Sequence, residues 1–215
     1  MRELATRTAV GLILIAIALA SALLGGTVFA VLVGLIATIM YFEWSRMVGH
    51  WGIGWRIYGF FYCLLPALSL LWIRERAEYE GIGTGFDLLI WVFLVVWSTD
   101  IGAYFAGRVI GGPKLAPSIS PNKTMAGLIG GVASAALLAG AWVYFAHLPA
   151  KLLWLSVLFG TAAQLGDLFE SGLKRRAGVK DSGTWLPGHG GLLDRLDGLV
   201  PVAVLTAALM VMDAL

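Results

Sequence analysis

Apolar residues run along this chain in long blocks, with the polar residues gathered between them. The blocks fall at roughly 8–24, 27–45, 57–73, 86–106, 126–146, 150–170 and 192–214, and a bilayer core takes about 20 apolar residues per helix. The pattern predicts seven transmembrane helices. An open strand edge in lipid would leave backbone groups unpaired, and the runs are too long and continuous for barrel strands, so the expected fold is all-α and polytopic. Ala18, Ala20 and Ala22 give the first block some likeness to a cleaved signal peptide. The block continues to Gly25 and six more follow, which favours a retained span.

Composition agrees with the pattern. Of 215 residues, 59% are hydrophobic and 13% charged, with nine Trp, the profile of a membrane protein rather than a soluble domain. Cys63 is the single cysteine and lies inside the third block, so no intrachain disulfide can form. No repeat or linker interrupts residues 1–215, which read as one domain. No nucleic-acid partner is expected.

The basic residues set the orientation. With the N-terminus inside, the inner segments hold Arg2, Arg7, Arg46, Arg56, Arg108, Lys114, Lys123, Lys174, Arg175, Arg176, Lys180 and Arg195, against Arg74, Arg76 and Lys151 outside. The positive-inside rule therefore puts the N-terminus in the cytoplasm and the C-terminus outside. Both long polar loops, about 107–125 and 171–191, become cytoplasmic. The outer loop near 74–85 adds Glu75, Glu78 and Glu80, a solvated surface that suggests no chemistry.

Chemistry is expected where charge and membrane burial conflict. Asp167, Glu170, Ser171 and Lys174 fall at helical spacing and share one face of the sixth span. The seventh opens with Asp194 and Asp197, one turn apart, with Arg195 beside them. Asp167, Asp194 and Asp197 form an oxygen-rich set suited to a hard cation such as Mg2+, which commonly shares its coordination with substrate phosphates. The competing reading is a set of interfacial salt bridges with Lys174, Arg175 and Arg195 and no metal.

The residues between those acids suit a polyphosphate. Lys174, Arg175, Arg176 and Lys180 can neutralise one, Gly188, Gly190 and Gly191 let the backbone turn tightly, and His189 can donate a hydrogen bond or move a proton. Anionic lipid headgroups would also account for the basic run. In the other inner loop, Asp100, Tyr104 and Arg108 stand at successive i+4 steps. Beyond them Pro113, Pro117 and Pro121 stiffen a path that offers Lys114, Ser118, Ser120, Asn122, Lys123 and Thr124 to a nucleotide. The Walker spacing is absent, and a stiffened connector is the alternative.

Ser171 to Asp197 resembles the signature of the phosphatidate cytidylyltransferase (CDP-diacylglycerol synthase) family. Ser171, Lys174, Arg175, Lys180, Asp181, His189, Gly190, Gly191, Asp194, Arg195 and Asp197 fill its fixed positions. The upstream pieces S-T-D-x-x-A-Y-x-x-G-R and K-L-x-P-x-I-S-P-x-K-T are similar to the family's, so the resemblance covers about residues 98–215. The chain departs from the family at Ala126, where Glu is common, and it is short for a bacterial member.

The resemblance implies that a phosphatidate oxygen attacks the α-phosphorus of CTP, giving CDP-diacylglycerol and pyrophosphate at the cytoplasmic face of the inner membrane. It implies Mg2+, with K+ assisting, and a homodimer among membrane lipids. Catalytic roles fall on Asp167, Lys174, Asp194 and Asp197, and metal binding on the three aspartates. Substrate contacts fall on Ser118, Ser120, Lys123 and Thr124 for CTP, and on Lys174, Arg175 and Lys180 for the departing pyrophosphate. Ser171, Asp181, His189 and Arg195 follow from the signature, and Asp100, Tyr104 and Arg108 serve in support or at the lipid phosphate. Other readings of the same residues are a CTP-dependent polyprenol kinase, an ion-coupled transporter and a silent scaffold.

Overall fold

The computed structural model describes residues 2–76, 84–185 and 190–212, with backbone only for residues 2–8. Its helices are α1 (Arg2–Leu24), α2 (Gly26–Met47), α3 (Ile53–Glu75), α4 (Gly85–Val109), α5 (Met125–Phe145), α6 (Lys151–Arg176), the one-turn α7 (Leu193–Leu196) and α8 (Leu199–Val211). Five of these, α2 to α6, are long and apolar enough to cross a membrane, as expected of a polytopic membrane protein. The apolar stretch Ala9–Leu24 and α8 are shorter. Glu78 and Glu80 of the expected outer loop lie outside the described residues.

Consecutive helices alternate in direction. The C-terminal ends of α2, α4 and α6 therefore gather with the N-terminal ends of α3, α5 and α8. At the opposite end Arg74 of α3 donates to the carbonyls of Ala22 and Leu23 at 2.5 and 3.2 Å, satisfying oxygens that the end of α1 leaves unpaired. There too, Thr84 and Asp87 form a capping box that starts α4: the Thr84 hydroxyl accepts from Asp87 N at 3.2 Å, and Asp87 Oδ2 accepts from Thr84 N at 2.9 Å.

Helix α4 occupies the middle, packed along α5 and also against α3, α6 and α8. Its Leu89, Trp91, Val92 and Val95 are fully buried. Small residues let α4 and α5 approach closely: a Cβ on Gly130 would run into the methyl group of Ala106, and one on Gly131 would lie 2.7 Å from Thr99 O. This is the close packing that glycine permits between membrane helices. Gly130→Val should force the pair apart and cost about 1–3 kcal/mol, read as a lower unfolding temperature of the purified protein in detergent. An unchanged temperature would show that the contact is not this tight.

Two features depart from the expected helices. The loop after α4 contains an antiparallel hairpin of β1 (Lys114–Ala116) and β2 (Ser120–Thr124), with Lys114 opposite Thr124 and Ala116 opposite Ser120. Pro117 stands second in a turn closed by Ile119 N donating to Ala116 O at 3.1 Å, and Pro121 is tolerated because the two-stranded sheet has only edges. The seventh span is also broken between α7 and α8. Pro201 has no N–H to offer the Asp197 carbonyl, and α6 comes close there, with a Cβ on Gly166 only 2.5 Å from that oxygen. The break brings Asp197 against the helix that carries Asp167.

Candidate active site

The gathered helix ends surround a cavity of about 1180 Å3. One wall is apolar, built by Leu14 and Ile15 of α1 and Leu32, Leu35 and Ile36 of α2. The facing wall is polar: Asp100, Tyr104 and Arg108 of α4, Lys123 and Thr124 of β2, Asp167 and Lys174 of α6, then Asp181, Asp194, Arg195 and Asp197.

On α6 the helical spacing produces the expected contacts. The Ser171 hydroxyl donates to Asp167 Oδ1 at 3.3 Å, and Lys174 Nζ lies 3.1 Å from Glu170 Oε1. The same ammonium donates to Asp194 Oδ1 at 2.6 Å. Glu170 and Asp194 are almost wholly excluded from solvent, so Lys174 is the cation between two buried carboxylates. Asp194 also accepts from Ser182 N at 2.9 Å and Gly191 N at 2.8 Å, both through Oδ2. Both of its oxygens are thus engaged in tying the signature loop to α6.

Asp167 belongs to a different group. Lys123 Nζ lies 2.6 Å from Asp167 Oδ2 without the alignment of a hydrogen bond, so charge holds this contact. Asp100 experiences the charges of Asp167, Lys123 and Arg195. Asp197 experiences those of Asp167, Asp100 and Lys174, while Asp197 Oδ1 accepts from Gly198 N at 2.8 Å. Three carboxylates from α4, α6 and the α7–α8 break therefore repel one another across the polar wall.

Within the expected metal set Asp194 is engaged by Lys174 and the loop amides and Asp167 by Lys123, while Asp197 stands between them, in the field of Asp167 and also of Glu170 and Lys174. Among the described residues no three His, Cys, Asp or Glu side chains come close enough to enclose a metal ion. The donors do fit a cation of the Mg2+ type, which keeps several waters and is commonly held by one or two carboxylates together with substrate phosphates. Asp167 and Asp197, near enough for Asp197 to feel the charge of Asp167, are two carboxylates of that kind.

The remaining residues sort by contact. Tyr104 and Arg108 keep the α4 face, with Arg108 Nη1 donating to the Tyr104 hydroxyl at 2.8 Å. Thr124 lines the cavity, but its hydroxyl caps α5 by accepting from Gly127 N at 3.0 Å. Ser118, Ser120, Arg175 and Lys180 are not among the cavity-lining residues. Arg175 Nε instead donates to Ile119 O at 3.1 Å and secures the hairpin turn. Arg176 stacks over Trp51 and Trp55, 4.6 and 5.0 Å from their ring centres. Pro187, Gly188 and His189 lie outside the described residues.

Glu43 is the residue that sequence reasoning passed over. It sits near the end of α2, is 1% exposed, and accepts hydrogen bonds from the signature loop 139 to 150 residues later. An acid inside an apolar block is the signal that could have found it.

Comparison with known proteins supplies the family. The sequence model described as Cytidylyltransferase family matches residues 51–213, most of the chain. A protein named phosphatidate cytidylyltransferase from Brucella suis biovar 1 (strain 1330) is 48% identical over 165 residues, covering 74% of this chain and 58% of the relative. One of the same name from Staphylococcus aureus (strain COL) is 45% identical over 153 residues, covering 70% and 58%. The chain spans a little over half the length of these curated relatives. On the extent of the family match, the chain belongs to the cytidylyltransferase family, in which these phosphatidate cytidylyltransferases stand as its relatives.

Proposed function

We propose that this chain transfers CMP from CTP to phosphatidate, forming CDP-diacylglycerol and pyrophosphate in phospholipid biosynthesis. The observation that carries the reading is one cavity with an apolar wall from α1 and α2 and a charged wall from α4, β2, α6 and the signature loop. A lipid with a phosphate head needs both surfaces, and a nucleotide triphosphate needs the second. The names of the relatives point to the same substrates.

The chemistry asks for little beyond positioning and charge. A phosphatidate oxygen, already anionic, forms a bond to the α-phosphorus of CTP as the bond from that phosphorus to the bridging oxygen breaks. The electron pair leaves with pyrophosphate. The obstacle is repulsion between two polyanions. Lys123 and Arg195 lie where they can neutralise the triphosphate, Arg108 and Tyr104 where they can hold the lipid phosphate, and Lys174 fixes the loop from beneath. Asp167 and Asp197 are the proposed holders of Mg2+, which when bound offsets phosphate charge and aligns the reacting groups. K+ is the proposed second cation, and a homodimer the proposed assembly.

The bundle end that carries the cavity also carries the chain's basic excess, among it Arg46, Arg56, Lys114, Arg175, Arg176 and Lys180. By the positive-inside rule this end faces the cytoplasm of the inner membrane, where CTP is dissolved. The test is pyrophosphate release by the purified protein in mixed micelles. It should require CTP, phosphatidate and Mg2+ together, and release without phosphatidate would contradict the reading.

A further inference from the structure

Glu43 lies upstream of the family-matched residues 51–213 and contributes nothing to the lining of the cavity, yet it touches the loop that carries the signature acids. Its Oε2 accepts from the Ser182 hydroxyl at 3.0 Å and from Leu193 N at 2.8 Å, and its Oε1 accepts from Leu192 N at 3.0 Å. Leu192 and Leu193 open α7, where backbone N–H groups have no partner within the helix. A carboxylate is acceptor-only with about four lone-pair sites, so it can serve several donors at once.

The loop's small residues fit around this carboxylate. A Cβ on Gly183 would collide with the Glu43 carboxyl group, and one on Gly191 would lie 2.7 Å from Glu43 Oε2. Asp194 works from the other side, taking Ser182 N and Gly191 N. Ser182 joins the two acids, with its hydroxyl on Glu43 and its N–H on Asp194. Glu43 and Asp194 therefore share the donors of one loop, and only Asp194 belongs to the signature.

We propose that Glu43 is a positioning residue for the transfer reaction: from the second helix it clamps Ser182 and Gly183 to Gly191, Leu192 and Leu193 and so fixes where Asp194 and Asp197 stand relative to α6. This rests on the CMP-transfer reading for its effect on rate, but the clamp itself can be read without substrate. Loss of the clamp lets the loop shift, and a displacement of about 1 Å at a reacting centre costs on the order of a hundredfold in rate.

The experiment uses the full chain with Glu43→Gln and, separately, Gly183→Ala. The first turns one acceptor oxygen into an NH2 group that faces the loop's N–H and O–H donors. The second pushes the same contact apart from the loop side. Both variants should accumulate in the membrane like the parent. Both should be cut by trypsin after the exposed Lys180 about tenfold faster, and both should lose kcat by about a hundredfold with KM for CTP changed less than about threefold.

Parent-like cleavage and kcat in either variant overturn the proposal. So does failure of both to accumulate, because that would make Glu43 a determinant of the whole fold rather than of the loop. Faster cleavage in variants of a parent that forms no CDP-diacylglycerol would keep the clamp and refute the reaction it is assigned to.

Discussion

Lys174→Met should destabilise the folded protein by about 3–5 kcal/mol, the usual cost of removing one partner from a buried ion pair. The Lys174 side chain is 11% exposed, and its Nζ lies between the side chains of Glu170, fully buried, and Asp194, 5% exposed. Without the ammonium, Glu170 and Asp194 face each other at the wall of the cavity with no cation between them, and methionine offers neither a hydrogen bond. Asp194→Asn gives the opposite balance. It leaves Lys174 paired with Glu170, one charge against one, so the fold should persist while the loop loses an acceptor. Thermal unfolding of the two variants in detergent checks the contrast. A Lys174→Met protein as stable as the parent would mean that the pair is not buried in the membrane-embedded state.

Asp167→Asn should do the reverse, lowering turnover by about a thousandfold while leaving stability unchanged or slightly raised. Asp167 adds its charge to those on Asp100 and Asp197, so the folded state holds three mutually repelling carboxylates whose proximity favours cation binding rather than folding. Removing one relieves repulsion. Lys123 loses the 2.6 Å contact with Asp167 but remains within the field of Asp100. Initial rates with saturating CTP and phosphatidate, set beside unfolding temperatures, separate the two effects. Full activity in Asp167→Asn would remove this residue from the proposed Mg2+ site.

Lys174→Met and Asp167→Asn together divide one helical face into two jobs. Lys174, paired with Glu170 four residues before it, ties a loop down through Asp194, while Asp167, held by Ser171 and Lys123, lines the cavity. In the sequence these are one acidic and basic stripe. Spacing along α6 could place them on a common face, but it could not say that Lys174 would pair with Asp194 and Lys123 with Asp167. The break at Pro201, a matter of one missing N–H and the close approach of Gly166, is what sets Asp197 against α6.

The same limit explains what else the chain revealed or withheld. Long apolar runs made the helices legible, because a bilayer leaves the backbone few alternatives. The hairpin at 114–124 was hidden by its prolines, which read as a stiff connector and serve as a turn and an edge strand. Composition makes Arg175 and Arg176 candidate phosphate ligands, and it gives no sign of their contacts within the chain, the Ile119 carbonyl and the faces of Trp51 and Trp55, which lie about 56 and 120 residues away. Glu43 was visible as an acid in an apolar block, yet only the tertiary contact with Ser182, Leu192 and Leu193 gives it meaning.

In the proposed reaction the α-phosphorus of CTP becomes bonded to phosphatidate. The direct measurement supplies the purified protein with phosphatidate, Mg2+ and CTP labelled with 32P at either the α or the γ position, then separates lipid from water-soluble products. The α label should enter the lipid as CDP-diacylglycerol and the γ label should leave entirely as pyrophosphate. A γ label in the lipid with release of CDP would identify a kinase and contradict the proposed reaction.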